Sequence, residues 1–219
     1  MAIVIHLKRK KRTKDWYVIY LNDGREVLSY IDFILKFKIK TGKHLTEEEI
    51  SEIKSISDLI LAKETAYKFL SYKPRTQKEV EDKLRQKGFT QDIISKVIED
   101  IKRYGFINDI EYARNFVLNR TKSKSLGKIA LKQSLLLKGI PNEIIEQVLE
   151  EREKLIDEFE IAFELARKKL KLLKSSKKKK RNENELKRKI YEFLTRRGFT
   201  WETIGRVIDK IFDDSELYI

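Results

Sequence analysis

The first thirty residues have the pattern of short β-strands, whereas the rest of the chain has a helical period. Residues 3–7 place isoleucine or leucine at every second position, and residues 16–21 are rich in the types that favour strands. Residues 22–24 are the turn formers Asn-Asp-Gly, and residues 26–30 would return as a further strand. We therefore predict a two- or three-stranded antiparallel sheet, a β-hairpin extension that must pack against another element to be stable.

Helical spacing begins after residue 30. The apolar residues Phe33, Ile34 and Phe37 predict a short helix that ends near residues 41–42. Leu45 is a further candidate for the same helix. Thr46 is followed three residues later by Glu49, which is the pattern of a capping box. This pair predicts the start of a second helix.

An internal repeat then occupies the rest of the chain. Three glycines, each after a basic residue and before an apolar one, mark its copies: Gly88, Gly139 and Gly198. A leucine stands four residues before each glycine, and apolar residues recur six, nine and ten residues after it. The glycine would end a second helix in the left-handed conformation, with the apolar residue after it closing the cap. A third helix would start at Thr90, Pro141 and Thr200.

This repeat predicts a mostly α fold. Three-helix units, similar to helix-turn-helix modules, would bury their faces against their neighbours and form an elongated, curved array with a small N-terminal β-hairpin extension. The predicted domains are 1–57 (hairpin and short helices), 58–107 (repeat 1), 108–153 (repeat 2) and 154–219 (repeat 3, with a basic insertion at 175–181). Such an array needs no partner copy, so we expect a monomer.

Composition excludes several classes of protein. The 219 residues include no cysteine, so disulfides, Fe–S clusters and thiol chemistry are excluded. The two histidines, His6 and His44, lie far apart, and the chain contains no glycine-rich phosphate loop or nucleophile elbow. We expect no catalytic residue, no cofactor and no metal, and therefore no enzyme. With no apolar run long enough to span a bilayer, the expected location is the cytoplasm.

The net charge of +14 indicates a polyanionic partner or an acidic protein surface. Residues 112–139 contain seven basic residues and no acid, whereas residues 141–164 contain nine acids. The third helix of repeat 2 would be repelled by phosphate, which argues against base readout and favours weak, sequence-independent DNA contact. A surface of merely solvated lysines stays open as an alternative.

Several segments resemble the RecX regulatory proteins. Residues 69–76 (Phe-Leu-Ser-Tyr-Lys-Pro-Arg-Thr) and 87–89 (Lys-Gly-Phe) are similar to the first RecX repeat. Residues 105–109 (Gly-Phe-Ile-Asn-Asp) and 138–140 (Lys-Gly-Ile) resemble the segment that joins its first and second repeats. The resemblance is close over residues 58–152 and looser in repeat 3, where the basic insertion is atypical.

The resemblance implies a regulator rather than an enzyme. It would bind the RecA recombinase filament on single- or double-stranded DNA, modulate its ATPase, strand-exchange and coprotease activities, usually downward, and so regulate DNA repair, recombination and the SOS response. A sequence-independent DNA-binding protein or a helix-turn-helix transcriptional regulator that acts without a recombinase is the alternative. The predicted recombinase and DNA contacts are basic residues: Arg75, Arg114, Arg120, Lys122, Lys124, Lys128, Lys132, Lys177, Lys178, Lys179, Lys180 and Arg181.

Overall fold

The computed structural model describes residues 1–11, 13, 15–175 and 182–213, and the backbone alone of Lys124. Within this part of the chain the strands are β1 (Ala2–Arg9), β2 (Trp16–Leu21), β3 (Glu26–Tyr30) and β4 (His44–Leu45). The helices are α1 (Ile31–Lys36), α2 (Glu47–Leu70), α3 (Gln77–Gln86), α4 (Gln91–Arg103), α5 (Asp109–Lys124), α6 (Lys128–Leu137), α7 (Asn142–Leu155), α8 (Glu158–Lys174), α9 (Glu183–Arg196) and α10 (Trp201–Asp213). The mostly helical fold with an N-terminal β extension is as predicted.

The chain divides into two compact units. The first contains residues 1–75 and 79–107, which are the sheet and the first repeat. The second contains residues 76–78 and everything from 108 onward, which includes repeat 2 (α5–α7) and repeat 3 (α8–α10).

The sheet of the first unit has one strand more than predicted. Its order is β3-β2-β1-β4, all neighbours antiparallel, and β2 and β3 form the expected hairpin. The assignment of Leu45 to the short helix is wrong. Helix α1 ends at Lys36, and Leu45 lies in β4, where it pairs with Ala2 and is buried in the core under the sheet. The short edge strand satisfies backbone groups of β1 that would otherwise be unpaired.

Helix α2 joins the sheet to the first repeat. Its N-terminus carries the predicted capping box: the Glu49 N–H donates to the Thr46 Oγ1, and the Thr46 N–H donates to the Glu49 carboxylate. The first half of α2 packs against the sheet through Ile50 and Ile53, and its second half belongs to the core of repeat 1. The boundary expected between residues 57 and 58 therefore falls inside one continuous helix.

Each repeat has the glycine turn that the sequence predicted. The φ angles of Gly88, Gly139 and Gly198 are +86°, +75° and +77°, in the left-handed region that side chains disfavour. At the first of these turns, the Gly88 N–H donates to the Arg85 carbonyl (3.0 Å) and the Phe89 N–H to the Leu84 carbonyl (3.3 Å). The same pair of bonds recurs at the other two turns. These are Schellman caps, and they confirm the predicted end of each second helix.

Inside the second unit, the N-terminus of α6 is seated on the glycine turn of repeat 3. The Gly127 N–H donates to the Arg197 carbonyl and the Ile129 N–H to the Gly198 carbonyl, both at 2.9 Å. A Cβ on Gly127 would lie well inside van der Waals contact with the Gly198 backbone. Between them, the Lys128 N–H donates to the Glu158 carboxylate (2.6 Å). Repeat 3 thus satisfies backbone donors that a helix N-terminus leaves unpaired.

Residues 76–78 meet the glycine turn of repeat 2 in the same way. The Thr76 hydroxyl donates to the Lys138 carbonyl (2.8 Å), and the Gln77 N–H donates to Asp109, the counterpart of Glu158 (3.0 Å). The side chain of Lys78 occupies the space in front of Gly139. The same joint therefore occurs twice within the second unit.

Candidate nucleic-acid and protein interface

The predicted contact residues of repeat 2 lie on two adjoining helices. Arg114, Arg120, Lys122 and Lys124 belong to α5, and Lys128 and Lys132 belong to α6. Arg75 lies in the first unit, just before α3. The predicted sites Lys177, Lys178, Lys179, Lys180 and Arg181 lie outside the described residues, as does the side chain of Lys124.

Arg114 is tied to an acid of α7. Its Nε and Nη2 donate to the two carboxylate oxygens of Glu151, at 2.8 and 2.7 Å. This bidentate hydrogen bond lowers the pKa of Glu151 to about 2 and raises the pKa of the Arg114 guanidinium. The charge of Arg114 is therefore balanced within the repeat.

The two lysines of α6 are paired in a similar way. Lys128 Nζ lies 2.8 Å from the Glu153 carboxylate, and Lys132 forms an ion pair with Glu146. The hydrogen bond that Lys128 donates to Glu153 raises the pKa of Lys128, and the hydrogen bond that Lys132 donates to Glu146 lowers the pKa of Glu146. The acid-free stretch of sequence is consequently not acid-free in space, because α7 brings its carboxylates against α5 and α6.

Arg120 and Lys122 differ from these three. Within the described part of the chain neither has a carboxylate within ion-pair distance. The Arg120 guanidinium lies 5.2 Å from the centre of the Phe116 ring, which stacks on Tyr112. Arg120 and Lys122 therefore keep their charge available to a partner, and the aromatic contact orients Arg120 without neutralising it.

Arg75 is held by an aromatic ring. Its guanidinium lies 4.0 Å from the centre of the Phe69 ring, and the Nε is buried with no hydrogen-bond partner among the described residues. Lys83 approaches the same ring at 5.8 Å. Arg75 thus contributes to packing in the first unit as well as carrying charge.

A second basic surface, missed in the sequence, runs along α8. It consists of four exposed residues, here called the α8 stripe: Arg167, Lys168, Lys171 and Lys174. Among the described residues, Arg167 pairs with Glu164 at 3.6 Å, and the three lysines have no carboxylate within ion-pair distance. The sequence does indicate this surface, because residues 165–175 contain no acid and the cations recur at helical spacing. The sequence-based prediction instead favours the longer basic stretch of repeat 2, residues 112–139.

No group of three or more His, Cys, Asp or Glu side chains in the described part of the chain is arranged to hold a metal ion. None of the described helices combines the length and the apolar character needed to cross a membrane. What the geometry provides is basic surface.

Tandem three-helix repeats with a basic surface define the class as a helical-repeat protein. Three family models match in order: the first RecX three-helix domain at residues 62–100, the second at 108–149 and the third at 156–208. The chain belongs to the RecX family, as its resemblance predicted.

Relatives support this membership over the whole length. A regulatory protein RecX from Clostridium beijerinckii is 31% identical over 96% of both chains, and one from Clostridioides difficile is 31% identical over 99% of both. A crystal structure of RecX from Lactobacillus salivarius matches with a TM-score of 0.62 and 30% identity, covering 71% of this chain and 97% of that one. A second RecX crystal structure shares the fold with a TM-score of 0.68 at 22% identity, over 95% and 100% of the two chains.

Proposed function

We propose that this protein binds the RecA recombinase filament on DNA in the cytoplasm and lowers its ATPase, strand-exchange and coprotease activities. The observation that carries the proposal is the match of all three repeats to RecX domains, together with relatives named as regulatory proteins. Regulation of DNA repair and recombination follows from such an activity.

The charge distribution supports a filament as the partner. DNA in a recombinase filament offers phosphates along its length, and a basic surface is attracted to them. Among the described residues, Arg120, Lys122 and the three lysines of the α8 stripe lack the carboxylate partners that balance Arg114, Lys128 and Lys132. We therefore place the main contacts on the first group and give the second group a mainly structural role.

Binding to DNA alone would be weak and indifferent to sequence. Arg120 and Lys122, the cations of α5 without a carboxylate partner among the described residues, can attract phosphates. Phosphate contacts do not read base edges. The acids of α7, the third helix of that repeat, are used in ion pairs with α5 and α6. A helix built this way is poorly suited to enter a major groove.

Recombinase ATPase on single-stranded DNA, titrated with the protein at two salt concentrations, tests the proposal. We expect inhibition by the wild type, and a variant combining Arg120→Glu with Lys122→Glu should need a higher concentration for the same effect. A matched control is Lys40→Glu with Lys96→Glu, which reverses two exposed lysines of the first unit. Circular dichroism of the three proteins should coincide.

Two results would contradict the proposal. If the wild type leaves the ATPase unchanged at every concentration, the regulatory activity is absent. If a binding titration shows that the wild type prefers one duplex sequence by about a hundredfold or more, the helix-turn-helix alternative holds, because such selectivity is typical of a sequence-specific regulator. Equal potency of wild type and variant at both salt concentrations would move the contact surface elsewhere.

A further inference from the structure

Three aromatic side chains are exposed at one end of the first unit. Tyr72, Tyr104 and Phe106 leave 74%, 64% and 55% of their surface open to solvent. Rings of this size are usually buried, and several exposed at one place indicate a binding surface.

The packing of α2 on α4 brings these rings to the same end. Lys63 pairs with Asp100 at 2.5 Å, and further along both helices Tyr67 meets Phe106 edge-on at 5.2 Å. Since both contacts advance in the same chain direction, the two helices run side by side, and their C-terminal ends lie on the same side of the unit. Tyr72 follows the end of α2, whereas Tyr104 and Phe106 follow the end of α4.

Two of the rings contact neighbouring side chains. Phe106 rests on Tyr67, and its N–H donates to the Ile101 carbonyl in the turn that ends α4 (2.8 Å). The Arg103 guanidinium lies 5.1 Å from the centre of the Tyr104 ring. Rings that are already oriented lose little entropy when a flat ligand stacks on them.

The same end of the unit is basic. The last turns of α2 and α4 and the residues that follow carry exposed cations: Lys68, Lys73, Lys102 and Arg103. The acids here are Glu99 and Asp100, and Asp100 pairs with Lys63 at 2.5 Å and with Arg103 at 2.8 Å, which balances its charge. Among the described residues, Lys68 and Lys73 have no carboxylate within ion-pair distance. The surroundings of the rings therefore favour an anionic partner.

We propose that Tyr72, Tyr104 and Phe106 form a stacking platform for the unpaired bases of single-stranded nucleic acid, with phosphates next to the surrounding cations. Exposed aromatic faces beside basic side chains suit this ligand because every base has a flat face and every nucleotide a negative charge. Duplex DNA hides its bases and would gain nothing from the platform. The proposal rests on the part of the proposed function that gives DNA as a partner.

Fluorescence anisotropy with a labelled oligothymidine tests the platform on the full chain without recombinase. Tyr104→Leu combined with Phe106→Leu keeps apolar bulk but removes the ring faces, and we expect binding to weaken at least about fivefold. The matched control is Tyr191→Leu on α9, a tyrosine that is 46% exposed in the second unit, and it should bind like the wild type. The salt dependence of the double variant should keep the wild-type slope, because stacking releases no counterions.

A second probe requires no variant. The wild type should bind an abasic strand of the same length at least about fivefold more weakly than oligothymidine, since phosphates remain but stacking is lost. Equal affinity for the two strands overturns the platform, and so does a double variant that binds oligothymidine like the wild type.

The remaining outcomes separate the platform from the proposed function. If the double variant keeps its affinity for oligothymidine but loses recombinase binding measured without DNA, the rings contact protein and the platform is wrong. If the wild type binds no oligothymidine even at low salt, the platform falls together with DNA as a direct partner. The recombinase ATPase assay then decides separately whether the regulatory function holds.

Discussion

Repeats 2 and 3 both carry basic residues, but in repeat 2 three of these cations are balanced by acids of a neighbouring helix. In repeat 2, Arg114 on α5 and both lysines of α6 are paired with α7. In repeat 3, the lysines of the α8 stripe have no carboxylate within ion-pair distance among the described residues. One scaffold therefore supports two kinds of basic surface.

The difference teaches that a basic stretch of sequence is not the same as an available charge. An arginine in a bidentate pair has its charge balanced and two of its five N–H donors occupied, whereas an unpaired lysine gives up only water when it binds phosphate. We accordingly expect mutations of paired cations to change the stability of the fold, and mutations of unpaired cations to change binding.

The largest effect is expected at Arg152, the extreme case of a paired cation in repeat 2. Arg152 is buried, and it donates to the Thr121 hydroxyl (3.1 Å) and lies 3.5 Å from the Glu158 carboxylate. Arg152→Ala leaves Glu158 without this partner and should lower the free energy of unfolding by about 3–5 kcal/mol. Urea unfolding measures the loss. The exposed Arg188→Ala should change stability by less than about 0.5 kcal/mol, and equal losses would break the comparison.

Reversing the α8 stripe tests the other half of the comparison. Lys168→Glu, Lys171→Glu and Lys174→Glu together should weaken binding to single-stranded DNA by roughly a hundredfold at low salt and flatten its salt dependence. The melting temperature should stay nearly unchanged, because exposed charges contribute little to folding. Reversal of Lys40, Lys54 and Lys96, three exposed lysines of the first unit, is the control. A similar loss in that control would mean that net charge alone decides binding.

A third experiment tests how tightly repeats 2 and 3 pack at the joint between Gly127 and Gly198. Gly127→Ala places a Cβ against the Gly198 backbone and should cost about 2 kcal/mol through overpacking at the joint. Gly205 lies in α10 with open space where its Cβ would be, so Gly205→Ala should stabilise by about 0.5–1 kcal/mol. A lower free energy of unfolding for Gly127→Ala and a higher one for Gly205→Ala would support a tight joint. Equal changes in the two variants would contradict it.

The smallest expected effect is the pH dependence of the Arg114–Glu151 pair. The folded-state pKa of Glu151, about 2, lies below the ordinary value of 4.5. The ionised carboxylate therefore stabilises the fold above pH 4.5, and this stability is lost as the pH falls through about 2. Arg114→Ala should therefore melt below the wild type at pH 6, with the gap closing near pH 2. A constant gap between the two melting curves would show that the pair contributes by packing rather than by charge.

Much of the fold was predictable because its signals are local. The glycine turns, the capping box at Thr46 and the hairpin each depend on residues a few positions apart. Strand β4 was not predictable in this way, since two residues pair with the start of the chain far away in sequence. The placement of Leu45 is decided by that long-range pairing and not by its neighbours.

The basic surface was less predictable than the fold. The sequence marked residues 112–139 as basic, but only packing reveals that α7 balances Arg114, Lys128 and Lys132. It also gives no sign that Arg152, among acids in an apparently exposed helix, is buried. Charge availability depends on contacts between helices, which no single segment encodes.

The seating of α6 on Gly198 sets an order of events during synthesis on the ribosome. The first-turn N–H groups of α6 find their carbonyl acceptors at Arg197 and Gly198, which emerge only after α7, α8 and α9 have been made. Until then repeat 2 has a helix end whose donors can bind only water. A nascent chain arrested before Gly198 should therefore be cut by protease near Gly127, whereas a released chain that contains all of repeat 3 should be protected there.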